Sequence, residues 1–482
     1  MKRPRYILWG LCLGGLFLFA LDPIRLDDFF LYLSFGRRFF DLGEFGATDP
    51  YIFSIQDYHW DVMHEWLSYL YYYGVYFMGG YWAVIVFRAL WVCCAGLILL
   101  VTCKRSNLSS FGTSFIFISS FLAASPRCFK DRSSFFSDLF TAALIFCLTD
   151  ENFLSKNSKI KWFLPLGFLL WVQLHPGYVV AWAILGLFLI SNWLTWGARQ
   201  RKEWLAITVL SGLITLLNPN GIGVILWPIN MIFSGDWSVF GRINEWVPSL
   251  KADFLPVGYK VYLCAYMVFA VTLTIFSFRR NRFMTGVALL LCYLGLSSSR
   301  FLSLSVIGLG VLAADSLRSI AWVNLNRVQM NLAALVLSIA VFLCSLIWPG
   351  HGVRFIISGN PLHPSVPEEG VRFLTTLPPG NTFNEWDLGG YLIWMMDGRQ
   401  KIGAHGFISD PNLVHDKIYR FSVSKEGWNE IILGGKVEYF IIRRQTYELS
   451  HQAAWIRELD GPEWLKIYTD RAAVIFRKNH GS

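Results

Sequence analysis

The sequence predicts an all-α polytopic membrane protein of about eleven transmembrane helices, followed by a C-terminal extracytoplasmic α/β domain. Three observations carry that prediction. Of 482 residues, 54% are apolar and 16% charged, against about a quarter charged in ordinary soluble domains. Eleven apolar runs alternate with basic clusters in the pattern of a multi-pass chain. After Trp348 the long apolar runs stop. A mean hydropathy of +0.44 with 40 Phe and 21 Trp excludes a disordered chain and disfavours a soluble enzyme.

Met1–Arg5 is basic and Tyr6–Leu21 apolar. Phe19-Ala20-Leu21 is not a small-x-small cleavage site, so this segment reads as a retained first helix. Further runs cover 80–103, 110–125, 134–149, 162–174, 177–196, 204–217, 261–278, 284–297, 301–315 and 330–348. Lys104-Arg105, Lys156/Lys159/Lys161, Arg199/Arg201/Lys202, Arg279-Arg280/Arg282 and Arg318/Arg327 then fall on the cytoplasmic side with the N-terminus. The net charge of +9 records this orientation and implies no nucleic-acid partner. His64–Gly79 has the length of another span, but counting it breaks the alternation. Its tyrosines favour a membrane boundary, so residues 64–79 are expected to form an interfacial helix, as are 221–233.

The expected domains are therefore 1–349, with a long first outer loop at 22–63, and 350–482. In the second, Lys436–Ile442 and Ala472–Phe476 read as strands, Tyr391–Met396 and Gln452–Leu459 as helices. The nine cysteines show neither a disulfide framework nor a zinc spacing.

Charge beside a bilayer is expensive, so its placement points to function. The first outer loop is acidic, with Asp27-Asp28 soon after the first helix and His64-Glu65 just beyond the loop. A carboxylate there can act as a general base or hold a divalent cation facing phosphate; the same acids also suit ordinary helix caps. Arg127, Lys130, Asp131 and Arg132 fall at the outer end of the third and fourth spans. Gln173 and His175, Asn218 and Asn220, Arg242 and Glu245, and Arg300 lie at other outer ends. Arginine's planar fork matches phosphate oxygens, and it also snorkels to lipid headgroups. No Walker loop, dinucleotide fingerprint, HEXXH or GxSxG pattern stands in a supporting context.

Several short stretches together resemble the GT-C superfamily of membrane glycosyltransferases, and within it a group of bacterial GT-C-like proteins. They are Asp28 through Gly36, Thr48-Asp49-Pro50, Trp60 with His64-Glu65-Trp66-Leu67, Trp171 with His175, Asn218-Pro219-Asn220-Gly221, Glu245-Trp246, Ser299-Arg300-Phe301 and Asn384 through Leu392. Three places depart from that group: Leu26 interrupts an expected acid-x-acid pair, Tyr32 stands for an expected His, and Ala404-His405-Gly406 for an expected Asp-Gly-Arg. Metal use is left open by these departures.

The resemblance implies sugar transfer from a polyprenyl-phosphate carrier at the outer face of a bacterial cytoplasmic membrane. Asp28 or Asp27 would be the catalytic acid–base group, and Arg127, Arg132, His175, Arg300, His64 and Glu65 the substrate contacts. Expected partners are a lipid-linked sugar donor, membrane lipids and envelope-glycan assembly proteins. A non-catalytic scaffold binding a lipid-linked glycan is the alternative, and a transporter the weakest reading, since Arg88 is the main charge within a span.

Overall fold

Apolar segments become helices because a backbone N–H or C=O facing lipid has no water to bond and must be satisfied within its own segment. The computed structural model describes residues 3–25, 27–55, 57–59, 62–226, 245–278, 281–319, 327–347, 352–407, 420, 424–434, 436–450 and 453–480. Its first helices are α1 (Arg3–Ala20), α2 (Asp27–Leu42), α3 (Trp66–Arg105), α4 (Ser110–Cys128) and α5 (Ser134–Thr149). Helices Leu164–Leu174, Tyr178–Asn192, Ala198–Leu213, Val257–Phe276, Arg282–Ser297, Leu302–Ser316 and Arg327–Ile347 follow. Among the described residues, three helical segments are long and apolar enough to cross a membrane: Trp66–Arg105, Val257–Phe276 and Ser299–Ser316. Six shorter apolar helices overlie other predicted spans, from Tyr6–Ala20 to Leu332–Cys344. α4 and Ala198–Leu213 cover the remaining two.

Packing divides the chain into two compact units: Met1–Asp22, Met63–Glu65 and Ile85–Gly359 in one, Pro23–Val62, Trp66–Val84 and Asn360–Ser482 in the other. This division differs from the expected 1–349 and 350–482, because most of the first loop and the tyrosine-rich helix group with the C-terminal strands.

The first unit is helical. Leu302–Ser316 is buried along nearly its whole length, which its small residues allow. A Cβ on Gly310 would lie 2.3 Å from Ser120 Oγ, so the helices approach too closely there for any side chain. Two arginines in this unit are paired with carboxylates. Arg88 is buried, pairs with Asp131, and donates to the carbonyl of Asp22 and to that of Ala20 at 3.0 Å. The expected in-span charge is thus a lock between helix ends. Arg105 likewise binds Asp150 and Asp315, at 3.1 and 2.9 Å.

The second unit holds a four-stranded sheet in the order β1 (Asn381–Asn384), β2 (Val437–Arg443), β4 (Ala473–Lys478), β3 (Trp464–Thr469). β1 and β2 run parallel, and the other pairs antiparallel. β2 is buried on both faces, which is why its sequence is nearly all apolar. Ile24 bridges Leu362 and Ile52 bridges Ile402, so the first loop is tied to the C-terminal segment by isolated parallel bridges.

Residues 64–79, expected to form an interfacial helix, bury some of their tyrosines within the protein. Tyr69 and Tyr72 are buried and stack on Tyr32 of α2, at 5.4 and 5.2 Å between centroids. These tyrosines are core residues, chosen for ring packing. The helix itself breaks at Gly79 and Gly80, Gly80 having a φ of +64°. Of 221–233, the stretch 227–233 lies outside the described residues.

Gly36 is where α2 meets this tyrosine helix: a Cβ there would fall 2.4 Å from Tyr73 Cβ and 2.5 Å from the Tyr69 carbonyl. Gly36→Ala is therefore expected to destabilise the protein by about 1–3 kcal/mol through overpacking. Gly74→Ala, with open space at its Cβ, should be neutral or gain up to about 1 kcal/mol of helix propensity. Unfolding midpoints of the two variants check the contrast.

Candidate functional site

In the first unit, the α4–α5 connection and the turn at 298–300 meet on one carboxylate. Arg127 ends α4, Arg132 precedes α5, and Arg300 sits in the turn before Leu302–Ser316. Arg127 and Arg300 reach Glu245 at 3.1 and 2.9 Å, and Arg132 pairs with it directly. The backbone repeats the convergence: the Glu245 carbonyl accepts from the Arg300 N–H at 2.8 Å and from the hydroxyls of Ser298 and Ser299, each at 2.9 Å. Arg300 also lies over the Trp246 ring, 5.0 Å from its centroid, a contact that desolvated guanidinium favours. Three guanidiniums sharing one carboxylate make this cluster cationic, the sign a phosphate requires.

Beside it lies a buried histidine–glutamate group. His175 follows helix Leu164–Leu174, and its Nδ1 accepts the Gly177 N–H at 3.1 Å. The neutral ring therefore carries its proton on Nε2. Ser137 Oγ lies 2.6 Å from the same Nδ1 and accepts from Trp171 Nε1 at 2.7 Å. Burial, with smaller effects of Arg300, His64 and Arg132, outweighs the attraction of Glu65 and pulls His175 down from 6.5 to about 4. Burial pushes the Glu65 carboxyl up, but the hydrogen bond and charge of His64, the charge of His175 and the Ser133 hydroxyl hold it at about 2. His64 Nε2 lies 3.5 Å from Glu65, and Ser133 donates to Glu65 at 2.5 Å.

All residues nominated for substrate contact thus gather in the first unit. His64 and Glu65 stand in the 3-10 turn Val62–Glu65 ahead of the tyrosine helix and not on it. Asn218 bonds the carbonyl of Val172 at 3.0 Å and Gln173 at 3.1 Å, so Asn218-Pro219-Asn220-Gly221 secures a helix end. Arg242 lies outside the described residues.

Asp27 and Asp28, the nominated catalytic acids, begin α2 and belong to the second unit. There a Cβ placed on Gly406 would lie 2.7 Å from Asp28 Oδ1. Asp49, from the Thr48-Asp49-Pro50 stretch, meets His405 at 2.5 Å with both side chains fully buried. Sequence reasoning missed this pair, because nothing local links residues so far apart. It also missed Glu385, which burial and then the neighbouring Asp387 raise to about 7. Among the described residues no cluster of three or more His, Cys, Asp or Glu is arranged to hold a metal ion.

No protein-family model matches the chain, and no curated protein matches it in sequence. Solved structures do. The archaeal oligosaccharyltransferase AglB from Archaeoglobus fulgidus, in complex with an inhibitory peptide and a dolichol-phosphate, is similar over 99% of this chain and 74% of its own, with TM-score 0.66 and 9% identity. ArnT from Cupriavidus metallidurans, bound to undecaprenyl phosphate, is similar over 98% of this chain and 96% of its own, with TM-score 0.51 and 12% identity. The fold is GT-C-like. The arabinofuranosyltransferase AftD from Mycobacteria matches all of this chain with 40% of its own length, at TM-score 0.53 and 13% identity. In this GT-C-like chain the C-terminal sheet follows the helical part, as the composition change predicts.

The low His175 value has a thermodynamic consequence. Its folded value, about 4, lies below the unfolded one near 6.5, so on acidification the unfolded chain takes up that proton first. Stability should therefore fall as pH drops from about 6.5 toward about 4. In His175→Asn the unfolding midpoint should vary less with pH across that window; an unchanged slope would contradict the assignment.

Proposed function

We propose that this chain is a membrane glycosyltransferase that moves a sugar from a polyprenyl-phosphate carrier to an acceptor hydroxyl at the outer membrane face. The observation that carries the reading is the cluster of Arg127, Arg132 and Arg300 on Glu245 within a GT-C-like fold. In the proposed step the acceptor oxygen bonds to the anomeric carbon as the bond from that carbon to the phosphate oxygen breaks. The electron pair leaves with polyprenyl phosphate, and the acceptor proton passes to Asp28, its neighbour Asp27 being the alternative. The arginines stabilise the departing charge, the kind of preorganised electrostatic help that dominates many active sites. His175, with its proton on Nε2, offers a neutral donor. His64 and Glu65 hold the turn beside it. The reading includes eleven spans, a cytoplasmic N-terminus, an outward C-terminal domain and a place in the bacterial cytoplasmic membrane beside envelope-glycan assembly proteins.

A non-catalytic carrier of lipid-linked glycan is the second reading, favoured by the same arginines, since binding a phosphate needs no base. A transfer assay with polyprenyl-phosphate sugars separates the two. Asp28→Asn should cut kcat by about 100-fold or more, the usual contribution of a positioned base, with the protein still folded. Arg300→Ala should weaken carrier binding about 10-fold or more, as loss of a charged hydrogen bond does. Full turnover in Asp28→Asn would sink the catalytic assignment. Arginine-dependent binding of polyprenyl phosphate with no transfer by the wild type would favour the carrier.

A further inference from the structure

A segment from far along the sequence, residues 404–407, passes close to Asp28, and Ala404, His405 and Phe407 anchor it. Asn384, buried at the end of β1, accepts the N–H groups of Gly403 and Ala404 at 3.0 and 3.3 Å and donates to the Ala404 carbonyl at 2.8 Å. His405 Nδ1 accepts the Phe407 N–H at 3.1 Å. Its proton therefore sits on Nε2 and is donated to Asp49 Oδ2 at 2.5 Å. The other Asp49 oxygen accepts the Tyr51 N–H at 2.7 Å. Phe407 stacks on Phe35 of α2, 5.1 Å between centroids and 6° from parallel, and leans on Tyr32 and Tyr69. Gly389 admits the segment from the other side, since a Cβ there would fall 2.0 Å from the Ala404 carbonyl.

Between the His405 and Phe407 anchors, Gly406 has its backbone pressed toward the Asp28 carboxylate. A Cβ at Gly406 would meet Asp28 Oδ1 at 2.7 Å, Trp386 Nε1 at 3.4 Å and Leu31 Cδ1 at 3.6 Å. Gly406 is not among the glycines with positive φ. Glycine is thus required here for space and not for backbone conformation. Of the three neighbours only the carboxylate is near enough to be forced to move.

We propose that His405-Gly406-Phe407 is a positioning element for Asp28. The His405–Asp49 bond and the Phe407 stack fix the segment, and Gly406 bounds the carboxylate on one side. His405 and Gly406 act through Asp28 and touch no reacting atom themselves. This rests on the reading above that Asp28 takes the acceptor's proton.

Gly406→Ala leaves Asp28 in place but displaces its carboxylate, so it tests position and not chemistry. In the full-length chain, assayed with polyprenyl-phosphate sugar, Gly406→Ala should lower kcat at least about tenfold with the donor KM unchanged. Added to Asp28→Ala, it should cause no further loss, because the atom it displaces is gone. His405→Gln, which keeps a donor toward Asp49, should retain more turnover than His405→Ala; if His405→Ala does not fold, the Gly406 pair decides. Wild-type kcat in Gly406→Ala, or an equal loss in both backgrounds, overturns the positioning role while leaving the proposed function standing. A wild-type chain without turnover overturns that function and the role with it.

Discussion

A charge buried among apolar helices has to be answered by its neighbours, and in the first unit that constraint centres on Glu245. Its carboxylate is shared by two arginines that flank the α4–α5 connection and a third from the turn at 298–300, while its carbonyl takes the backbone N–H and the serine hydroxyls of that turn. Taking a carboxylate out of water costs several kcal/mol unless such partners surround it. The same residue therefore decides where three helix ends stop and which way their cations face. Arg88 shows the same rule with reversed roles: a cation on α3 is answered by Asp131 and two carbonyls. Loss of Asp131 would leave the buried Arg88 charge uncompensated, whereas Glu245 keeps two arginines when one is removed.

The second unit answers buried charge with less of it. Asp49 and His405 are a compact pair with no exposure, and each remaining acceptor atom is filled by a backbone N–H. Around them the contacts are between rings: Phe35, Tyr32, Tyr69 and Phe407 pack face to face or tilted. A polar centre sealed by aromatics is rigid, since the low dielectric strengthens each hydrogen bond and penalises any arrangement that breaks one.

The helical architecture was legible in the sequence because apolar length is a one-dimensional signal. So were β2 and β4, whose apolar runs are unbroken. The arginines could be nominated one by one from charge placement, yet their common partner could not: Glu245 is more than a hundred positions from Arg127 and Arg132. β3, exposed at several positions, carries no apolar run to betray it. The tyrosine-rich stretch reads in two ways for a physical reason. Tyr has a ring that buries well and a hydroxyl that likes water, so a composition rich in Tyr describes a membrane boundary and a stacked core equally well. Only the neighbours decide, and here Tyr32 and Phe35 of α2 decide for the core.

Ala404-His405-Gly406, where the resembled group has Asp-Gly-Arg, is the departure that weighs most on whether this chain retains a working site. Decay at a disused site should leave polar groups without partners, since nothing selects against them beyond stability. The opposite holds here. Both ring nitrogens of His405 and both oxygens of Asp49 are hydrogen-bonded, and the following glycine is the residue that the Asp28 carboxylate requires for clearance. Position by position the arginine of that group would fall at Gly406, where even a Cβ would lie 2.7 Å from Asp28 Oδ1, and its glycine at His405, whose place is fully buried. A neutral imidazole fits that space and uses its two nitrogens as one donor and one acceptor. At this departure the segment is held by His405 and Asp49, with Gly406 giving clearance to Asp28.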